Sequence, residues 1–379
     1  MRVLTVFGTR PESIKMAPVV KALKEGDGFE CSVCVTAQHR QMLDQVLELF
    51  GIKPDYDMDL MTPNQDLFDI TSKSLLGIRD VLHAEKPDIV LVQGDTTTCF
   101  SGALAAFYEN IPVGHIEAGL RTGDLRAPFP EEANRLLTTR LSRLHFAPTQ
   151  RAHDNLVNEG IPDAHIRVTG NTVVDALLDV NRTVKNLPLD HWQKIFGNAL
   201  CDQLAGDYNR RILVTGHRRE NFGKGFTDLC NAIRHLAVTY PDWLFIYPVH
   251  LNPNVREPVY TIIGDCDNIH LVDPLDYAPF VWLMGNCDLV LTDSGGVQEE
   301  APGLGKPVLV MRDVTERPEG IEAGTVKLVG TDTQKIIEGV ESVLLDAEIY
   351  RTMSCAHNPY GDGKAAARIR KIISEYLSE

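Results

Sequence analysis

VLTVFGTRPESIKMAPVVKAL, residues 3–23, reads as a strand, a loop and a helix in succession. Val3 to Phe7 is a short apolar run rich in β-branched residues, as a buried strand requires. Gly8 to Arg10 is the loop. Pro11 suits the first turn of a helix, where its missing N–H has no partner to lose. The theme then repeats along the chain. PDIVLVQGDTTTCFSGALAAFY (87–108) sets strand Ile89 to Gln93 before loop Gly94 to Thr97 and a helix of small residues. IPVGHIEAGLRTGD (111–124) carries a short strand, Val113 to Ile116, with a polar exit. RRILVTGHRRENFGKGFTDLCNAIRHLA (210–237) restarts the theme. WLFIYPVHLNPNV (243–255), IHLVDPLDY (269–277) and CDLVLTDSGGVQEE (287–300) continue it. Strands alternating with helices predict an α/β fold with parallel sheets, helices on both faces and right-handed crossovers.

At 379 residues the chain is too long for one ordinary core. Two Rossmann-like doubly wound domains are expected, residues 1–170 and 171–362. The weakly patterned stretch 181–209 separates the two sets of strands. A last helical stretch, from about Gly363 to Leu377 in the segment 363–379, is free to pack on either half. The polar loops fall at the carboxyl ends of strands, where open α/β sheets bind ligands. Two such sheets facing each other put those ends on a shared cleft.

Composition narrows the function. Lys and Arg number 37 and Asp and Glu 52, a formal charge of −15. That argues against a nucleic-acid binder, which needs a net basic face. No run of 18 apolar residues exists, so no membrane span is expected. The amino-terminal apolar run is too short for a signal peptide and reads as a first strand. The eight cysteines are scattered rather than arranged as a disulfide framework. Cys31 and Cys34 match C-x-x-C, but in an alternating run that puts them on opposite strand faces. A cytoplasmic enzyme is expected.

Several strand ends carry chemistry. At 291–310, LTDSGGVQEEAPGLGKPVLV, the N–H groups of Ser294, Gly295 and Gly296 open a helix. They can hold a phosphate, or Asp293 or Ser294 can simply cap the helix. Glu299 and Glu300 follow within about one and a half turns. The helix dipole favours negative charge there, and a carboxylate there can also accept hydrogen bonds from a ribose diol. Phosphate and diol together mean a nucleotide. His217, Arg218 and Arg219 follow another strand, either as a solvated loop or as a diphosphate grip. Arg10, Lys15, Arg312 and Arg317 add cations at similar places. Asp95, Glu117, Glu131 and Glu132 are strand-end or helix-start acids. Each alone reads as a cap, and together they suit proton removal from one face of a ligand and delivery to the other. His115 and His250 read as hydrogen-bonded structural histidines. No metal motif, Walker A or G-x-G-x-x-G follows a strand, so no metal and no cofactor are expected.

FGTRPESIKMAP, TAQHRQMLDQVL, QGDTTT, GHIEAGLRTGD, PFPEEANR, TGHRREN, YPVHLNPNVREPV, TDSGGVQEEAP and RDVTERPEG, in this order, resemble the non-hydrolysing UDP-N-acetylglucosamine 2-epimerases. The likeness extends to HNPYGDGKAAARI near the end. It implies a glycosyltransferase-B-like fold, a homodimer, and conversion of UDP-GlcNAc to UDP-ManNAc, which feeds surface polysaccharides in bacteria. It implies that Ser294, Gly295 and Gly296 meet the UDP phosphates and Glu300 the ribose. Arg10, Lys15, His217 and Arg317 would hold the nucleotide and Phe280 would lie by the uracil. Asp95, Glu117 and Glu131 match the family's catalytic acids, and the likeness implies that His217 would also assist UDP departure. Some members also need a second UDP-GlcNAc, and Gln38, Gln41, Arg219 and His250 fall in the matching motifs. Asn64 stands where a regulated relative has Arg. A UDP-sugar glycosyltransferase, a UDP-sugar sensor, a hydrolysing epimerase and a diacetamido-sugar epimerase remain the alternatives.

Overall fold

A computed structural model describes residues 1–37, 40–62, 65–206 and 208–379, so Gln38 and Asn64 lie outside the described residues. The chain divides into two compact units, residues 1–176 with 360–379, and residues 177–359.

In the first unit the described strands are β1 (Arg2–Phe7), β2 (Glu30–Val35), β3 (Tyr56–Asp57), β4 (Ile89–Gln93), β5 (Val113–Ile116), β6 (Leu144–Ala147) and β7 (Ile166–Val168). They form one sheet in the order β3-β2-β1-β4-β5-β6-β7. Every pairing is parallel. The helices are α1 (Arg10–Lys24), α2 (Arg40–Leu49), α3 (Leu67–Glu85), α4 (Thr97–Tyr108), α5 (Glu131–Leu141), α6 (Gln150–Asn158) and α7 (Thr172–Lys185), the last crossing into the second unit.

Helices cover both faces of this sheet, which is why its central strands are apolar throughout rather than alternating. Val3, Leu91 and Phe146 pack with Met16 and Leu23 on one face. Leu4, Val6, Val90 and Val92 pack with Ile78 and Ala103 on the other. Cys34 belongs to the second cluster and Cys31 packs against the first, so the C-x-x-C pair is split across the strand.

The second unit has α8 (Leu189–Ala205), β8 (Arg210–Thr215), α9 (Lys224–Thr239), β9 (Trp243–Pro248), α10 (Pro253–Ile263), β10 (Ile269–Val272), α11 (Tyr277–Asn286), β11 (Leu289–Thr292), α12 (Gly295–Glu300), β12 (Val308–Val310), α13 (Pro318–Glu322), β13 (Val326–Leu328), α14 (Thr333–Leu344) and α15 (Ala347–Cys355). Its parallel sheet runs β10-β9-β8-β11-β12-β13, around a core that includes Phe226, Trp243, Phe245 and Tyr247. The last helix, α16 (Ala365–Ser378), returns to the first unit. Ala366, Ile369 and Ile373 join its core. The Asp175 carboxylate accepts the N–H groups of Ala365 (3.2 Å) and Ala366 (2.9 Å), so it closes the start of α16.

Two Rossmann-like, doubly wound units make this a glycosyltransferase-B-like α/β fold. The stretch 181–209 is not a plain separator, because α7 and α8 fill most of it. Its helical period is hidden by Gly197, whose φ of 79° and ψ of 161° break α8. Among the described residues no helix is long and apolar enough to cross a membrane.

Both sheets reverse strand order at one place, between β1 and β4 and between β8 and β11. The loops leaving those strands diverge there and open a crevice at the carboxyl ends. Arg10, Lys15, Asp95, His217, Arg219, Ser294, Gly295 and Gly296 lie on these loops or in the helix turns that follow them, whereas Glu117, Glu131, Phe280 and Arg317 belong to neighbouring elements.

Candidate active site

At the first switch point, β1 turns into α1 through Gly8 and Thr9. Buried Glu12 closes this turn. Its Oε2 accepts the N–H groups of Gly8 (3.0 Å) and Thr9 (2.8 Å), and its Oε1 accepts the Thr96 hydroxyl (2.6 Å). Thr96 is the N-cap of α4. One carboxylate therefore ties together the loops after β1 and β4. Burial raises the Glu12 pKa above its usual value, opposed by the hydrogen bonds from Thr96, Gly8 and Thr9.

Arg10 and Lys15 stand in the first two turns of α1. Lys15 Nζ is 2.5 Å from Glu117 Oε2, which also accepts from Gln93 Nε2 at 2.8 Å. A lysine expected beside a diphosphate thus faces a carboxylate. Glu117 has a φ of 63°, a left-handed conformation that costs a non-glycine residue about 1–3 kcal/mol. Such strain persists only where surroundings hold it, and it gathers at functional sites.

Asp95 leaves β4 through Gly94. Its carboxylate makes a short ion pair with Arg135 Nη2, and its carbonyl accepts from Asn134 Nδ2 at 2.9 Å. Arg135 Nη1 also pairs with buried Glu132 at 2.9 Å. Glu132 accepts the N–H groups of Thr122 (3.1 Å) and Gly123 (3.0 Å) through its other oxygen. Glu132 is thereby consumed in holding the loop after β5. Its neighbour Glu131 opens α5, and Glu131 Oε2 lies buried without a hydrogen-bond partner among the described residues. Adjacent in sequence, the two acids occupy different chemical settings. His115 is buried on β5 with Nε2 2.7 Å from the Gly94 carbonyl, as a structural histidine should be.

At the second switch point, Asp293 is fully buried after β11. It does not cap α12. It accepts the N–H groups of His217 (3.0 Å) and Arg218 (2.8 Å) and the Asn221 amide (3.2 Å), which binds the β8 loop to the β11 loop. Ser294 is the N-cap of α12 and makes no side-chain cap bond either. Side-chain capping therefore fails for both residues. A Cβ on Gly295 would come within 2.6 Å of Arg317 Nη1, so this guanidinium lies against the glycine backbone at the helix start. Helix N–H groups and a guanidinium together favour an anion.

Arg317 is braced by Glu299 (2.6 Å) and Glu316 (2.8 Å). Arg312, also read as a phosphate cation, is held by Glu220 (2.7 Å) and Glu316 (2.9 Å). Burial raises the Glu316 pKa, but Arg317 and Arg312 outweigh it and hold the carboxyl at about 2. Glu300 accepts the Tyr277 hydroxyl at 2.8 Å. Phe280 follows one turn along α11, half-buried. The rings of His217 and His250 stack at 5.6 Å. Burial lowers the His217 pKa, with Asp293, 3.6 Å from its Nδ1, pulling the other way. His250 Nδ1 accepts from Asn252 N at 3.1 Å. Gln41 is exposed on α2, and Arg219 is exposed after β8.

Glu12, Gln93, Asn134 and Arg135 escaped the sequence reading. A signal for Arg135 was present: an acid at a buried strand end needs a donor, and PFPEEANR supplies an arginine one turn past two acids.

The whole chain, rather than the two clusters alone, has close relatives among known proteins. A family model described as UDP-N-acetylglucosamine 2-epimerase matches residues 21–374. The UDP-N-acetylglucosamine 2-epimerase of Escherichia coli O157:H7 is 58% identical over 379 residues, covering 98% of each chain. That of Yersinia pestis is 57% identical over 377 residues, covering 99% of each. The crystal structure of the Neisseria meningitidis UDP-GlcNAc 2-epimerase bound to UDP-GlcNAc superposes with a TM-score of 0.88 at 51% identity, covering 99% of this chain and 100% of that one. Likeness at this level along nearly the whole length leaves one assignment: the chain belongs to the UDP-N-acetylglucosamine 2-epimerase family.

Proposed function

We propose that the protein interconverts UDP-GlcNAc and UDP-ManNAc by eliminating UDP and adding it back to the sugar. One observation carries the mechanism. Asp95 and Glu117 leave neighbouring strands β4 and β5, each held against a cation, with Glu131 opening the next helix. The C2 proton of the sugar is not next to a carbonyl, so a carboxylate alone removes it slowly. Breaking the C1–O bond first puts positive charge on C1 and makes that proton acidic. This asks for a well-held leaving group. Ser294, Gly295, Gly296 and Arg317 supply the phosphate grip, with Arg10 and His217. Glu300 takes the ribose and Phe280 flanks the uracil. Asp95, Glu117 and Glu131 are the acids and bases at C2. Loss of the proton leaves 2-acetamidoglucal and UDP. A proton then returns on the opposite face and UDP re-adds. No net oxidation occurs.

The same reading makes the protein a cytoplasmic homodimer that supplies surface polysaccharide synthesis. It places Gln41, Arg219 and His250 at a second UDP-GlcNAc site. Proton NMR with UDP-GlcNAc in D₂O tests the reaction. UDP-ManNAc should appear with deuterium at C2 and with little free sugar. Accumulation of free ManNAc would show hydrolysis and overturn the re-addition step.

A further inference from the structure

The chain is gripped at four successive residues where β4 passes into α4. Gln93 Nε2 donates to Glu117 at 2.8 Å. The Gly94 N–H donates to the Ile116 carbonyl at 2.9 Å, and the Gly94 carbonyl accepts from His115 Nε2 at 2.7 Å and, as a weaker second bond, from Cys99 Sγ at 3.2 Å. The Asp95 carbonyl accepts from Asn134 Nδ2 at 2.9 Å, and the Thr96 hydroxyl donates to Glu12 at 2.6 Å.

His115 has no proton to trade. A carbonyl can only accept, so Nε2 carries the hydrogen. Nδ1 is then bare, and it lies buried without a hydrogen-bond partner among the described residues. Burial pushes the imidazole down to about 4, with Arg121 and Arg135 adding to it and the Gly94 bond opposing, so the ring is neutral near pH 7. A bare buried nitrogen is a cost that an apolar residue of similar size would avoid. What the imidazole contributes is its bond to Gly94.

That bond has a specific geometric meaning. The Gly94 carbonyl belongs to the peptide plane that runs through the Asp95 nitrogen to the Asp95 Cα. The Asp95 carbonyl belongs to the next plane. Pinning both planes fixes φ and ψ of Asp95 and hence the direction of its Cα–Cβ bond. Gly94, at a φ of 71°, supplies the turn between strand and loop. Arg135 then holds the carboxylate itself.

We infer that His115 and Asn134 are positioning residues for Asp95, acting through the two peptide planes that flank it. This rests on the reading of Asp95 as a catalytic acid.

The test uses Asn134→Ala, His115→Phe and His115→Gln, each alone and combined with Asp95→Asn. Initial rates, UDP affinity by calorimetry and Tm are measured for each. A misplacement of the acid by a fraction of an ångström should lower kcat about 10- to 100-fold in Asn134→Ala and His115→Phe. UDP affinity should stay within about twofold, since the anion cradle is untouched. His115→Gln keeps an N–H donor and should recover most of the rate. On the Asp95→Asn background the same substitutions should cost less than about twofold more, because a displaced amide does no chemistry. Near-normal kcat in both Asn134→Ala and His115→Phe would overturn the inference. So would full, multiplicative losses on the Asp95→Asn background. If His115→Phe fails to fold, Asn134→Ala decides by the same criteria. A normal rate in Asp95→Asn itself would remove the catalytic reading of Asp95, and the inference with it.

Discussion

Glu117 combines a left-handed backbone with a carboxylate oxygen shared between an ammonium and an amide. Gln at this position keeps the shape and removes the charge that Lys15 faces. Glu117→Gln should reduce turnover by about 10²- to 10⁴-fold, as loss of a general base does, while UDP still binds in calorimetry. Retained turnover would remove Glu117 from the chemistry. Two buried histidines set an acid limit. His115 and His145 pair across β5 and β6. Burial lowers them to about 4 and about 3. Unfolded, they titrate near 6.5. The native state therefore binds fewer protons below that value, and stability falls with pH. The loss begins near 6.5 and runs down towards 4 and 3, at about 1.4 kcal/mol per pH unit for each ring. Tm measured from pH 8 to pH 4 should fall across this window. His145→Phe should flatten the slope.

Asp95, Glu117 and His217 were legible one by one because each lies within two residues of a strand's end. Their partners were not. Thr96 and Glu12 lie 84 residues apart, and Arg135 and Asp95 lie 40 apart. They meet only because β4 inserts beside β1 and α5 follows β5, and strand order is not written in any local pattern.

At the scale of elements, the strands that feed the site end within a residue of where the apolar runs end. Ile89 to Gln93 was readable because its apolar run gives way to Gln93 and Gly94, and Val113 to Ile116 because a short segment bounded by β-branched residues ends at the polar Glu117. The loop after β5 depends on a glycine for a different reason. Gly119 has a φ of 96°, and a Cβ there would stand 2.1 Å from the Ala152 carbonyl oxygen, a backbone atom that cannot swing away. Gly119→Ala should cost more than about 1 kcal/mol and lower Tm in calorimetry. Asp293 shows where local reading misleads. An acid before a helix reads as its cap, yet β8 lies beside β11 and offers two loop N–H groups that bind it instead.

At the scale of the whole molecule, the chain leaves the first unit near residue 176 and re-enters it near residue 360. Ile369 is wholly buried in the first unit's core. Ile369→Ala should destabilise by about 2–5 kcal/mol, through lost burial and the cavity left behind. Amide hydrogen exchange should then show lost protection in residues 1–176. Unchanged protection there would mean α16 is dispensable to that unit. The sequence left this helix free to pack on either half, since an amphipathic pattern names a buried face but not the surface that buries it.

The docking of α16 sets a schedule for synthesis. Residues 1–176 leave the ribosome with an uncovered apolar strip. The segment that covers it comes only after residues 177–359, roughly ten to forty seconds later at ribosomal rates of about 5–20 residues per second. The half translated first is therefore the half completed last, and until then its exposed face is a substrate for holding chaperones.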